Sequence, residues 1–362
     1  MKRYRPQLDS LRAFAAIAIL FAHFWIGGST LATPVGLLAV RLFFVLSGFL
    51  LTSILLAERD EASRRGIARE RLLRNFYARR ILRIWPAYYL AIGAALLFGA
   101  AGVAATFAWH ALFGSNILYF LEGAWDPVLL SHLWTLSIEE QFYLVLPLVV
   151  LFVPRSLLRP VLVGGIAAAL LFRFIVAALF DGPHVFYSAL PLAQLDALCG
   201  GALLAEILAG GRTVKWKPLL AWSLPAALVL NLLPLPEIIN YPLVPAAYVI
   251  AMIAAVAAAQ QGVGGLAGAV LGNRALIAMG RISYGVYLYH VLVWGAANAV
   301  QRSLGYEPLH YGFVSFVIWS SLSIAVATAS WFLVERPALS LRRRFQLDRP
   351  APTLIPAAPT SA

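Results

Sequence analysis

The chain reads as long apolar runs separated by short polar breaks. Ten such runs recur, at about 10–28, 35–56, 86–105, 138–153, 160–180, 190–208, 219–234, 243–259, 282–299 and 311–334. An α-helix needs roughly 20 apolar residues to cross a bilayer. The runs are continuous rather than alternating, which excludes a membrane β-barrel. The pattern predicts an all-α fold, a polytopic transmembrane helical bundle of about ten spans. No break leaves room for a soluble domain, so residues 1–340 are expected to form one membrane domain. Within 341–362, the Ala/Pro-rich end is expected to be a disordered cytoplasmic tail.

Composition sharpens this picture. The chain is 61% hydrophobic and 12% charged, against about 25% charged in soluble domains. A net charge of +12 would suggest nucleic acid in a soluble protein. Here the basic residues gather in alternate breaks, and no nucleic-acid partner is expected. Between the second and third runs lie Arg59, Arg64, Arg65, Arg69, Arg71, Arg74, Arg79, Arg80 and Arg83. They share one side with Lys2, Arg3, Arg5, Arg155, Arg159, Arg212, Lys215, Lys217, Arg274, Arg281, Arg342, Arg343 and Arg344. The other side receives essentially Arg302. Ten spans with both termini cytoplasmic satisfy the positive-inside rule at every loop, and the expected location is the inner membrane. The basic start and first run resemble a signal peptide. No small-x-small cleavage site follows, and the run holds Arg12 and His23, so an uncleaved anchor is expected. Positions 106–136 carry no Lys or Arg, are rich in aromatics and are expected along the interface. The single cysteine, Cys199, excludes an intramolecular disulfide and a cysteine-based metal site. His110, His132, His184 and His310 fall in outer loops without metal-ligand spacing.

Ionisable groups inside apolar runs are costly and point to function. Arg12 and His23 are eleven residues apart. Eleven steps of about 100° return to nearly the same helix azimuth, roughly 16 Å further along. One face of the first span therefore carries a cation near the inner surface and an imidazole at depth. His23, Arg41, Arg173 and Asp196 come from four spans and fall at one level. Arg173 and Asp196 also fit a purely structural ion pair. Above that level, His132-Leu133-Trp134-Thr135-Leu136-Ser137-Ile138-Glu139-Glu140 places two carboxylates at the start of the fourth span. One could cap the helix and the other orient an imidazole. At the inner side, Arg79, Arg80 and Arg83 precede Trp85-Pro86. Arg80 and Arg83 share a face, and paired guanidiniums suit phosphate recognition. Ser283, Tyr287 and His290 form one polar stripe on the ninth span, suited to a buried network or to catalysis. Ser47-Gly48 permits close backbone approach, either of another helix or of a narrow acyl chain.

Taken in order, these motifs resemble the acyltransferase-3 family of membrane O-acyltransferases. The matching features are Leu8-Asp9-Ser10-Leu11-Arg12 with His23, the stretch around Ser47-Gly48, Arg80-x-x-Arg83, and Trp134 through Tyr143. Leu195-Asp196-Ala197-Leu198, Ser283 through His290, and Glu335-Arg336-Pro337 complete the series. The resemblance implies transfer of an acyl group, usually acetyl, from cytoplasmic acyl-CoA to a hydroxyl, commonly on a cell-envelope glycan. It implies His23 and Arg12 as the essential pair, Arg80 and Arg83 as donor contacts, and acyl-CoA as a substrate with no permanently bound cofactor and no metal. Where the family often has Arg two residues before the Asp of the sixth span, this chain has Gln194, so the partner of Asp196 stays open. The length suggests the stand-alone form, without the fused SGNH-type domain of some members. A rival from another class is a secondary transporter or flippase. Carriers tend to show internal repeats and broken helices, and neither is evident here.

Overall fold

The structure is a computed structural model and describes residues 5–179 and 185–346. Lys2, Arg3, His184 and the Ala/Pro-rich end of the expected tail lie outside the described residues. Fifteen α-helices follow one another among the described residues, and no strand occurs there. They are α1 (Pro6–Phe24), α2 (Ala32–Arg65), α3 (Arg69–Leu97), α4 (Phe107–Ala111), α5 (Ser115–Glu122), α6 (Trp134–Phe152), α7 (Arg155–Leu179) and α8 (Val185–Ser188). After these come α9 (Leu195–Ala209), α10 (Trp216–Leu232), α11 (Glu237–Gln261), α12 (Gly265–Leu271), α13 (Arg274–Ser303), α14 (Phe313–Ser330) and α15 (Arg336–Ser340).

Eight helical segments among the described residues are long and apolar enough to cross a membrane. They contain α1, α2, α6, α7, α9, α11, α13 and α14. The third and seventh expected spans correspond to α3 and α10. The first half of α3 carries Arg69, Arg71, Arg74, Arg79, Arg80 and Arg83, which dilutes its apolar character, and α10 has 17 residues.

The arginine-rich segment expected as a loop is instead helical. Its good helix formers prolong α2 to Arg65 and begin α3 at Arg69. Gly66, in the left-handed conformation with φ 64°, ends α2 as glycine commonly does. Glu61 pairs with Arg64 at 2.5 Å and Arg65 at 3.9 Å on the last turns of α2. At the other end of the chain, Leu341–Phe345 forms a 3-10 turn packed on α3. The described beginning of the expected tail is therefore built into the fold.

α1 packs against α2 and α13, and α2 packs along α9. Glycines let these helices meet closely. A Cβ on Gly48 would lie 2.0 Å from the Leu198 carbonyl oxygen, and one on Gly201 2.0 Å from that of Val45. A Cβ on Gly280 would lie 1.9 Å from the Asp9 carbonyl oxygen, at the seam of α1 and α13. The Gly280 seam sets α1 close against α13, beside α2.

Candidate active site

The unbroken α1 carries Arg12 and His23 along one side. At the far end, the His23 ring is exposed although its neighbours Ala22 and Phe24 are buried. It meets the His290 ring of α13 edge-on, with centroids 4.8 Å apart. A third imidazole, His132, stands 5.1 Å beyond His290. His132 Nε2 donates to the Leu288 carbonyl at 3.0 Å. His290 Nδ1 donates to the Tyr287 carbonyl at 2.6 Å. Carbonyls only accept, so these contacts fix both tautomers and leave His132 Nδ1 and His290 Nε2 as acceptors. Both atoms are buried and have no hydrogen-bond partner among the described residues. Sequence spacing puts His132 in an outer loop with no chemistry of its own. Only its place one turn before α6, in the 3-10 segment Val128–Leu133, brings it to His290.

The predicted stripe on α13 divides. Tyr287 donates its hydroxyl to the His132 carbonyl and accepts from Thr135 Oγ1, each at 2.8 Å. Ser283 turns to its own helix and donates to the Gly280 carbonyl at 2.8 Å. Tyr287 and His290 join the imidazole group, whereas Ser283 caps a backbone carbonyl.

Toward the arginine-bearing end of α1, a second group gathers from α2, α3 and α6. Ser47 Oγ donates to Glu139 Oε1 at 2.7 Å and lies 3.1 Å from the Tyr143 hydroxyl. The Arg80 guanidinium sits over the rings of Phe76 and Tyr143, 5.7 Å from each. Trp85 Nε1 donates to Glu140 Oε2 at 3.4 Å. Arg12 lies in the field of Arg83, Asp9, Glu139 and Tyr143. The side chains of Arg12, Ser47, Arg80, Arg83, Glu139 and Glu140 are all half-buried. Arg12 Nε, Arg80 Nε and Glu140 Oε1 have no hydrogen-bond partner among the described residues.

The two carboxylates therefore differ from expectation. α6 begins at Trp134 rather than near Ile138, because the apolar and aromatic residues before Ile138 continue the helix. Glu139 and Glu140 lie beyond its first turn and cannot cap it. Glu139 faces Ser47 and the field of Arg12, and Glu140 faces α3, whereas the ring beside His23 is that of His290. Glu335 also joins this end. It closes a π-helical turn, Trp331–Glu335, and is buried, with Arg83 in its field. Gly285 makes room for it, since a Cβ there would come within 3.1 Å of Glu335 Oε1.

Arg79 and Gly48 do not fit donor contact as expected. Arg79 is buried, pairs with Glu58 at 2.8 Å and donates to the Phe345 carbonyl at 2.7 Å. Both terminal nitrogens thus hold protein groups. The free face of Gly48 is filled by the α9 backbone, which leaves no space there for an acyl chain.

A third polar group stands apart. Arg173 Nη2 donates to Asp196 Oδ2 at 2.6 Å and Arg173 Nη1 to the Ala193 carbonyl at 2.6 Å. Asp196 Oδ1 accepts from the Ala197 amide at 2.9 Å, and Arg41 Nη1 is 4.0 Å from the same carboxylate. All three side chains are buried. Arg173, on α7, supplies the partner that Gln194 does not; Gln194 donates to the Ser188 carbonyl at 3.0 Å. Arg41, Arg173 and Asp196 form one cluster, while His23, expected at their level, stands with His290.

A family model described as an acyltransferase domain, the acyltransferase-3 family, matches residues 5–335. O-acetyltransferase OatA of Staphylococcus aureus (strain NCTC 8325 / PS 47) is 32% identical over 229 residues, which cover 57% of this chain and 35% of that protein. The putative O-acetyltransferase SAS0844 of Staphylococcus aureus (strain MSSA476) is 31% identical over 228 residues, 56% of this chain and 35% of the relative. The matched segment thus spans about a third of the length of these relatives. No solved structure matches the chain.

Proposed function

The chain belongs to the acyltransferase-3 family, and from that premise we propose that it is a membrane O-acetyltransferase that moves the acetyl group of acetyl-CoA onto a hydroxyl of a cell-envelope glycan or similar acceptor. The proposed setting is the inner membrane, with the arginine-bearing end of the bundle facing the cytoplasm. The O-acetyltransferase names of the relatives support the group transferred. The observation that carries the reading is the polar side of α1. It runs from Arg12, among half-buried guanidiniums and carboxylates, to the exposed His23 beside His290.

The chemistry follows from these two ends. Arg80 and Arg83 hold donor phosphates by charge-assisted hydrogen bonds. The thioester of the donor's flexible arm extends along α1 toward His23. His23 takes the proton of the acceptor hydroxyl as its oxygen attacks the thioester carbonyl carbon. The tetrahedral intermediate then collapses, the C–S bond breaks, and the imidazolium returns the proton to the leaving thiolate. His290 borders the base, and Tyr287, which lies against His290, keeps those surroundings ordered.

Two measurements test the reading together. The purified full-length chain is expected to bind acetyl-CoA. Mass spectrometry of envelope glycans and secreted metabolites, from cells with and without the protein, is expected to reveal a lost acetyl increment. Absence of both would overturn the reading and favour a carrier.

A further inference from the structure

The donor end holds a cation that positive-inside topology alone had explained. Arg342 lies in the 3-10 turn Leu341–Phe345, which is remote from α3 in sequence but packed on it. Arg79 makes that docking specific, because it donates to the carbonyl of Phe345, 266 positions away, while paired with Glu58. The docked turn brings Arg342 into the fields of Arg79, Arg80 and Arg83. Arg342 is half-buried, unlike the exposed Arg343 and Arg344 beside it. Its Nε is buried and has no hydrogen-bond partner among the described residues, as is true of Arg80.

Like charges gathered at a half-buried site repel one another. Glu139 and Glu140 lie in the field of Arg80 and Glu335 beside Arg83, while Glu58, the acid in the field of Arg342, is already paired with Arg79. Guanidinium groups gathered at such a site, two of them with an Nε that has no partner among the described residues, suit an anion with several acceptor oxygens. We infer that Arg342 is the third arm of a phosphate-binding site with Arg80 and Arg83, so that the end of the chain closes over the phosphates of the acyl donor. This rests on the acyl-CoA reading above. A phospholipid headgroup offers the same chemistry, and the test separates the two sources.

The probes are CoA and 3′-dephospho-CoA, titrated against the full-length protein in phosphatidylcholine nanodiscs. A charge-assisted hydrogen bond gives an expected loss of about tenfold or more in CoA affinity for Arg342→Ala. Arg343→Ala removes the same charge from an exposed neighbour and is expected to change affinity less than about twofold. Arg342→Lys, which keeps the charge without the planar fork, is expected to fall between. If Arg342→Ala also narrows the preference for CoA over 3′-dephospho-CoA, the 3′-phosphate is its partner; an equal loss for both probes points to the diphosphate. Equal losses in Arg342→Ala and Arg343→Ala, or none in either, would overturn the inference while leaving the acyl-CoA reading intact. No CoA binding by the unaltered protein would overturn that reading and the inference with it. Both also fail if phosphatidylglycerol, added to the nanodiscs, is retained in an Arg342-dependent way while CoA is not bound.

Discussion

Two groups of buried charge lie along α2, and they are built on opposite plans. Arg173, Asp196 and Arg41 are sealed, with relative exposures of 0%, 2% and 4%, and both oxygens of the carboxylate accept from the protein. Arg12, Arg80, Arg83, Glu139 and Glu140 are only half-buried. Atoms without a partner among the described residues occur in both groups, Arg41 Nη1 and Arg173 Nε in the first and Arg12 Nε, Arg80 Nε and Glu140 Oε1 in the second, so exposure is what separates them. Charge inside a membrane protein is therefore two different signals. A closed ion pair orients helices against one another. A half-open group leaves charge within reach of something that arrives from outside.

The largest expected effect falls on the open side. His23→Ala is expected to lower acyl transfer about 10²–10⁴-fold, the usual contribution of a positioned base, with acetyl-CoA affinity and detergent melting unchanged. His23→Gln keeps a hydrogen-bonding group but cannot carry the proton, so it should not rescue turnover. Near-normal turnover in His23→Gln would reduce the residue to a structural one. A trapped acyl-His23 species would make it a nucleophile rather than a base.

The next effect falls on the sealed side and on a different observable. Asp196→Ala leaves Arg173 buried without its counter-charge, which is expected to cost about 3–5 kcal/mol of stability, read as lost yield and a lower melting temperature in detergent. Replacing both partners, Arg173→Met with Asp196→Leu, should recover much of that loss, because apolar pairs of similar volume are often as stable as buried ion pairs. A double variant that is well folded yet inactive would break the contrast, since it would place the sealed cluster in the chemistry.

These differences also explain what was legible in the sequence. The bundle was, because long apolar runs have one solution in a bilayer. The shared side of Arg12 and His23 was, because helical periodicity fixes azimuth over a short distance. Positions that depend on where a helix starts were not. α6 begins at Trp134, and this moved Glu139 and Glu140 from the cap to the interior. His132 gained a partner only through the packing of its 3-10 turn on α13. Arg79 departed from expectation for a similar reason. Sequence spacing ranks arginines by their neighbours along the helix, whereas the docking of Phe345 on Arg79 is long-range. The π-helical turn that buries Glu335 left no pattern of its own. Acyltransferase chemistry was legible only through the ordered set of motifs, and the family match over residues 5–335 sets it above the carrier alternative.

The smallest of the expected effects probes the border itself, which passes between two adjacent residues. Ser47 faces the open group and donates to Glu139. Gly48, the next residue, faces α9 across the sealed seam. A methyl group at position 48 would collide with the Leu198 backbone at 2.0 Å, and backbone cannot swing aside as a side chain can. α2 and α9 must separate, so Gly48→Ala is expected to cost about 1–3 kcal/mol, as overpacking does, and to lower the melting temperature. Ser47→Ala removes a hydrogen bond to a carboxylate that retains Tyr143 nearby, so its main effect should be on turnover. The two variants also decide between packing and acyl-chain contact at this pair. If position 48 serves packing alone, Gly48→Ala leaves the ratio of acetyl to longer acyl donors unchanged in whatever protein remains folded. A stable Gly48→Ala protein with altered acyl preference would mean that the seam opens to admit the acyl chain, and the division between sealed and open regions would then fail at the residue where it is sharpest.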